Sequence, residues 1–375
     1  MSYQNLSTRN RQRGLTLVEM MVASLLAIFL AGGIIQIFVG NRVTFTFNEG
    51  VSRIQENARF SLEHIAFTSR MAGYSGCMSD AAVFNNLSGA ANPFRDDINN
   101  GIQGYNANGT GIGENYAAAA TDPAGSTTTA NWSPALPAEL ITAVPGGVVP
   151  GSDVLIVRGA TGAAQSLITP FSDTSQLFIN GPHDFANGEI LVVADCQKAS
   201  IFQLTGSAAA GTGFNLAHAN GGGFSPGNAV SNWPTEQDYG LGAEVSRLQT
   251  FAFYVAPGAN GRPSLFQARL QPVTATLTDF QSEELAEGID SMQIRYGIDA
   301  DNDDDIDTWT TADAVADWTR VLSMEVTLLV RSRDEYGTEV DTLVYNVGGT
   351  QFDPIDDRRL RQVFSTTVGI RNRLP

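Results

Sequence analysis

A polar, basic segment gives way to a long apolar run at a single junction, and that junction limits what this chain can become. Residues 1–14 read MSYQNLSTRNRQRG, with Arg9, Arg11 and Arg13 and no acid. From Leu15 to Gly40 the chain is almost wholly apolar, broken chiefly by Glu19 and Gln36. About 20 apolar residues suffice for a helix to cross a bilayer. The arginines precede the run, so the positive-inside bias keeps residues 1–14 in the cytoplasm and sends everything after Gly40 to the far side. A secretory signal would carry small residues for cleavage beyond the apolar run. Here none follows it, and Gly14 stands ahead of it instead. A carboxylate inside a membrane helix is costly, so Glu19 is a functional candidate by default, with snorkelling to the interface as the plain alternative.

After Gly40 the pattern turns amphipathic. Phe47, Val51, Ile54, Ala58, Leu62 and Ile65 recur at helical spacing, with Arg53, Glu56, Arg59 and Glu63 on other faces. Gly73 and Gly76 end the pattern. The spacing predicts a helix from about Leu15 to about Ala72, roughly 85 Å long at the helical rise. The stripe is too short and too irregular for a coiled coil, so it is expected to pack on a sheet.

The remainder reads as strands and turns. Strand-like runs occur at 153–159, 189–196, 200–205, 291–299, 322–332 and 360–372, and 248–257 with 264–270 form an expected hairpin around GANGRP. Residues 80–151, rich in Ala, Asn, Gly, Pro and Thr, read as a long loop region with short strands, and the Gly- and Asn-rich residues 206–230 read as a loop. One long helix followed by many strands means an α+β fold with a mainly antiparallel sheet.

Charge narrows the function classes. The net charge is −17 and Lys198 is the one lysine, so phosphate contacts from clustered cations, and with them nucleic-acid binding, are not expected. His64, His183 and His218 fall in no H-E-x-x-H pattern, and no G-x-S-x-G or Walker A motif occurs, so no enzyme is expected. The two cysteines, Cys77 and Cys196, read as one disulfide in an exported chain, against two buried thiols in a cytosolic one. The bridge would close a loop worth on the order of 4 kcal/mol.

The acidic run GIDADNDDDIDTW at 297–309 is the candidate metal site. Asp299, Asp301, Asp303, Asp305 and Asp307 supply alternating oxygen ligands of the kind Ca2+ takes in an EF-hand-like loop. Asp304 stands where such a loop wants Gly, and Thr310 stands where it wants a bidentate Glu, with Asp313 as a substitute. The alternative is a solvated acidic hairpin loop.

The string RGLTLVEMMVA resembles the processing site of type IV prepilins. The resemblance implies cleavage by prepilin peptidase between Gly14 and Leu15, N-methylation of Leu15 in place of the family's usual Phe, and pairing of Glu19 with an N-terminal amine during assembly. RFSLEHIAFTSRMAGYSGC, FAFYVAPGANGRPSLF, GIDSMQIRYGIDAD and VFSTTVGIRNRL are similar to segments of PilW-type minor pilins. That family implies a pilin-like fold divided into a leader (1–14), a membrane and filament-core half-helix (15–40), an amphipathic half-helix (41–72) and an enlarged β-rich head (73–375). It also implies a low-abundance subunit that helps initiate pilus assembly in the inner membrane of a Gram-negative bacterium and sits at or near the tip. Its expected partners are other minor pilins, the major pilin and a tip adhesin, in service of adhesion and twitching motility. A minor pseudopilin of a type II secretion system is the runner-up.

Overall fold

The computed structural model describes residues 14 and 16–373, apart from 77–81, 89–93, 120, 145, 173, 275 and 337–338. The chain divides into two compact units between Ser52 and Arg53. The helix α1 (Leu17–Ser69) contains one segment long and apolar enough to cross a membrane. It ends where Gly73 adopts a φ of +74°, a left-handed conformation that Gly reaches without steric cost. The Gly73 N–H then bonds the Arg158 carbonyl at 2.8 Å.

Within the second unit the order is β1 (Ala82–Asn85), β2 (Ile102–Ala107), β3 (Asn115–Ala117), β4 (Trp132–Ser133), α2 (Ala138–Ala143), β5 (Val154–Ser166), β6 (Gln176–Ile179), β7 (Ile190–Ala194), β8 (Lys198–Gln203), β9 (Gly206–Ala210) and β10 (Gly213–Ala217). Then come β11 (Glu244–Pro257), β12 (Pro263–Pro272), β13 (Thr278–Glu287), β14 (Ile289–Ile298), β15 (Thr308–Thr310), β16 (Val321–Glu335), β17 (Tyr345–Val347), β18 (Thr350–Asp353) and β19 (Arg359–Gly369). A nine-stranded sheet runs β1-β8-β7-β11-β5-β2-β4, extended from β11 through β12 to β13. A four-stranded sheet runs β15-β14-β16-β19, and two three-stranded sheets run β6-β10-β9 and β17-β18-β3. Pairing is antiparallel except for β1 with β8 and β18 with β3. This is the expected α+β architecture.

The carboxy-terminal half of α1 supplies Ile54, Ala58, Leu62 and Ile65, all buried, to a core shared with both larger sheets. Met324, Val326, Leu328 and Val330 alternate along β16 into the same core, as the two-residue strand period requires. Along β11, Phe253 and Val255 face that core while Ala252, Tyr254 and Ala256 face a second one under α2. The nine-stranded sheet is therefore covered on both faces.

Several expectations need correction. The 206–230 loop contains the hairpin of β9 and β10, which pair antiparallel. Residues 80–151 hold the expected short strands, β1 to β4, and the short helix α2, which was not expected. β1 and β2 are held by β8 and β5, partners distant in sequence, which local strand propensity does not reveal. Of the helical stripe, Phe47 is exposed, at 43%. The hairpin of 248–257 with 264–270 forms as β11 and β12, in register from Phe251–Arg269 to Pro257–Pro263.

Candidate functional site

Helix α1 begins with a reciprocal cap. The Thr16 hydroxyl accepts the Glu19 backbone N–H at 3.3 Å. In return the Glu19 carboxylate accepts the Thr16 backbone N–H at 3.0 Å and the Thr16 hydroxyl at 2.9 Å. This is a capping box, and its T-x-x-E pattern at residues 16–19 was available in the sequence. The box satisfies donors that a helix start leaves orphaned, and it gives an otherwise bare carboxylate three-residue-local partners. Gly14 is exposed with open space around its Cα, while Leu15 lies outside the described residues.

Three hydroxyls further along this half-helix are also satisfied within it. Ser24, Thr44 and Thr46 donate their hydroxyls to the carbonyls of Met21, Gly40 and Arg42 at 2.9, 3.0 and 3.1 Å. Backbone and hydroxyl groups that bond inside one helix need no water, which is the condition for residing in lipid or in a packed helix bundle. Its apolar side chains stay uncovered: Leu17, Phe29 and Phe38 are 76%, 74% and 67% exposed. A contiguous apolar surface of this extent marks a membrane or protein contact.

The acidic loop sits at the tip of the β14–β15 hairpin. Asp299, only 4% exposed, accepts backbone N–H groups from Asn302 at 2.5 Å, Asp304 at 3.1 Å and Asp303 at 3.3 Å. Burial pushes its carboxyl up, but those three donors outweigh burial and hold it below the usual carboxylate range. Asp307 accepts the Ala300 N–H at 2.7 Å. Carboxylate oxygens of Asp299, Asp301 and Asp307 lie within 4.8 Å of one another. Asp301 is raised by the neighbouring charges of Asp303 and Asp307, the signature of crowded negative charge.

Of the five expected ligands, the loop therefore gathers three. Asp303 accepts the Asp305 N–H at 3.0 Å, and Asp313 bonds the Thr311 hydroxyl at 2.6 Å. Asp304, which stands where an EF-hand-like loop has Gly, takes that residue's left-handed conformation at φ 69°, as Asn302 does at 67°. Asp and Asn are the non-glycine residues that tolerate it best.

Cys196 follows β7 closely, and its sulfur is not a free thiol. Cys77 lies outside the described residues. Its neighbour Gly76 is described, and a Cβ on Gly76 would lie 3.1 Å from the Ala194 Cβ, two residues before Cys196.

The histidines are engaged structurally. His64 bonds Gln267 at 2.9 Å, and His218 is buried against Trp233 with ring centroids 4.4 Å apart. His183 bonds Ser207 at 2.8 Å, but the adjacent Asp184 turns to Arg247 at 3.0 Å rather than orienting the imidazole. Trp132 and Trp233 are buried core residues.

Comparison with known proteins agrees with the two ends of the chain. Residues 9–35 match the prokaryotic N-terminal methylation motif, and residues 252–372 match the family described as type IV pilus-assembly protein W. A solved type IV-like pilin from Thermus thermophilus is 14% identical, over 50% of this chain and 84% of that one, with a TM-score of 0.23. No curated protein matches.

A methylation motif at the start of an exposed apolar helix, followed by a β-rich head, defines a type IV pilin-like protein. Within that class, residues 252–372, about a third of the chain, are similar to the PilW-type pilus-assembly proteins.

Proposed function

We propose that this minor pilin helps initiate type IV pilus assembly in the inner membrane and sits at or near the pilus tip. Prepilin peptidase cuts after Gly14 and methylates the amine of Leu15. Residues 15–40 hold the subunit in the membrane with residues 1–14 in the cytoplasm and the head in the periplasm. The apolar half of α1 then leaves lipid for a bundle of other pilin helices, both minor and major, and the head contacts a tip adhesin. The observation that carries this reading is an uncovered apolar helix whose one acid, Glu19, is already hydrogen-bonded to Thr16. Such a helix passes from lipid to protein with its one carboxylate already hydrogen-bonded.

Two further features belong to the same proposal. Cys77 and Cys196 form a disulfide, supported by the closeness of Gly76 to Ala194. The loop of Asp299, Asp301 and Asp307 takes Ca2+, supported by the convergence of their carboxylates. The whole reading is tested by mass spectrometry of the mature chain together with gold labelling of pili. Leu15 as the methylated first residue and label confined to pilus ends are expected. A different first residue, or label along the whole shaft, contradicts it.

A further inference from the structure

The strand β19 closes one side of the four-stranded sheet and pairs only with β16. The phase of that pairing is set by the Ile370 N–H, which bonds the Leu322 carbonyl on the β16 side. In an antiparallel pair, alternate residues turn their main-chain groups to the partner strand. Residues 362, 364, 366 and 368 therefore bond β16, and Val363, Ser365 and Thr367 direct their N–H and C=O groups outward. Among the described residues, none of these three N–H groups has a partner.

A groove of about 760 Å3 runs beside this edge, between β19 and the carboxy-terminal half of α1. Leu62, Ala66 and Phe364 line it, and Phe67 stands on its wall 73% exposed. Arg59 and Arg70 also line it, and Arg371 follows β19, with its N–H on the Arg70 carbonyl at 3.3 Å. The acid beside them, Glu63, is already paired with Arg59 at 2.8 Å. In a chain of net charge −17 this is a cationic strip.

Resting on the minor-pilin reading above, we propose that β19 is an acceptor edge for strand addition. Its occupant is an extended, acidic strand of a neighbouring pilin subunit. The added strand takes up the outward main-chain groups of Val363, Ser365 and Thr367. Its alternate apolar side chains fill the groove and cover Phe67, and its acids meet Arg59, Arg70 and Arg371. Main-chain bonding supplies affinity in this mode, and side-chain pockets supply selectivity. Charge complementarity sets the partner. Long edge strands left bare are an aggregation liability, and β19 carries neither proline nor lysine to blunt it. The acidic ten-residue edge strand β13 illustrates the type of strand required.

The test uses the full chain in cells that assemble the pilus. Ser365→Pro removes an outward N–H without touching the β16 ladder, and Ser365→Ala keeps the N–H. The proline variant is expected to fall at least tenfold in the pilus fraction while the alanine variant stays at the wild-type level. In the wild type, the amides of Val363, Ser365 and Thr367 are expected to exchange hydrogen at least tenfold more slowly in the assembled complex than in the isolated chain in detergent. That measurement stands even where the proline variant fails to fold. A photocrosslinker at residue 365 is expected to join an acidic strand segment of another pilin subunit, identified by the sequence of the crosslinked peptide. Normal entry of Ser365→Pro, unchanged exchange at the three amides, or a crosslink to lipid or to a second copy of this chain overturns strand addition and leaves the minor-pilin reading in place. Absence of the wild-type chain from pili overturns both.

Discussion

Arg331 and Arg361 are direct Cα partners across β16 and β19, two buried cations side by side. Asp290 of β14 reconciles them: its carboxylate meets Arg331 Nε at 3.2 Å and Arg361 Nε at 2.9 Å. Arg361 also reaches Asp357 at 2.8 Å and Asp341 at 3.4 Å, and Arg331 reaches Asp122 at 2.6 Å. Three neighbouring strands are thus tied by one charge network in which each cation has acids on more than one side.

Removing the shared acid should be severe. Asp290→Ala leaves two buried guanidinium groups with fewer counter-charges, and breaking a buried pair from one side costs about 3–5 kcal/mol. Chemical denaturation of the full chain in detergent measures it. A loss no larger than that of a surface Asp→Ala change contradicts the account.

Glu19→Ala should separate processing from assembly. Cleavage after Gly14 is expected to continue, while incorporation into pili falls, because the helix loses the carboxylate held by Thr16. Immunoblots of sheared pili read the effect, and wild-type incorporation of the variant removes this role from Glu19.

Asp153 should make stability depend on pH. Its carboxylate accepts N–H groups from Ala107 at 2.9 Å and Ile294 at 2.8 Å, fastening β14 to the end of β2. Burial outweighs those donors and pushes its pKa up to about 7. The folded chain then holds this proton more tightly than the unfolded chain does. The contribution is complete below about pH 4 and is lost as pH rises through about 7, up to roughly 4 kcal/mol in all. Asp153→Asn, neutral at every pH, should lack this slope between pH 4 and 7.5. Parallel pH profiles for the two proteins would falsify the assignment.

The cysteine pair should appear as one crosslinked peptide containing Cys77 and Cys196 under non-reducing digestion. Reduction should lower stability by on the order of 4 kcal/mol. Free thiol at both positions in the exported protein contradicts the bridge.

Calorimetric titration should detect Ca2+ binding at the acidic loop, and Asp301→Ala with Asp303→Ala should abolish it. Affinity should weaken as pH falls, because the crowded Asp301 carboxyl is raised by Asp303 and Asp307 and takes a proton early. A flat thermogram with the wild-type chain excludes the site.

Local and contiguous features were legible in advance. The apolar run, its basic flank, Glu19 and the β11–β12 hairpin depend on residues adjacent in the chain, and helix formation, lipid partition and tight turns are decided at that range. Three of the five expected loop ligands lie together for the same reason: residues 299–307 fold on themselves. The segment TDFQSEELAE carries too many acids to read as a strand, yet it is β13, held by pairing with β12 along a sheet edge. Asp290, Arg331 and Arg361, and the carboxylate of Asp153 among backbone donors, have no local signal at all. Their pairing is settled only when strands far apart in sequence come together, because burying a charge is tolerable only where the completed fold supplies its partners. The sequence by itself determined a prepilin-like methylation motif, a helix long and apolar enough to cross a membrane and a β-rich head; the tertiary structure alone decided which charges are buried against one another and which strand edge stays open.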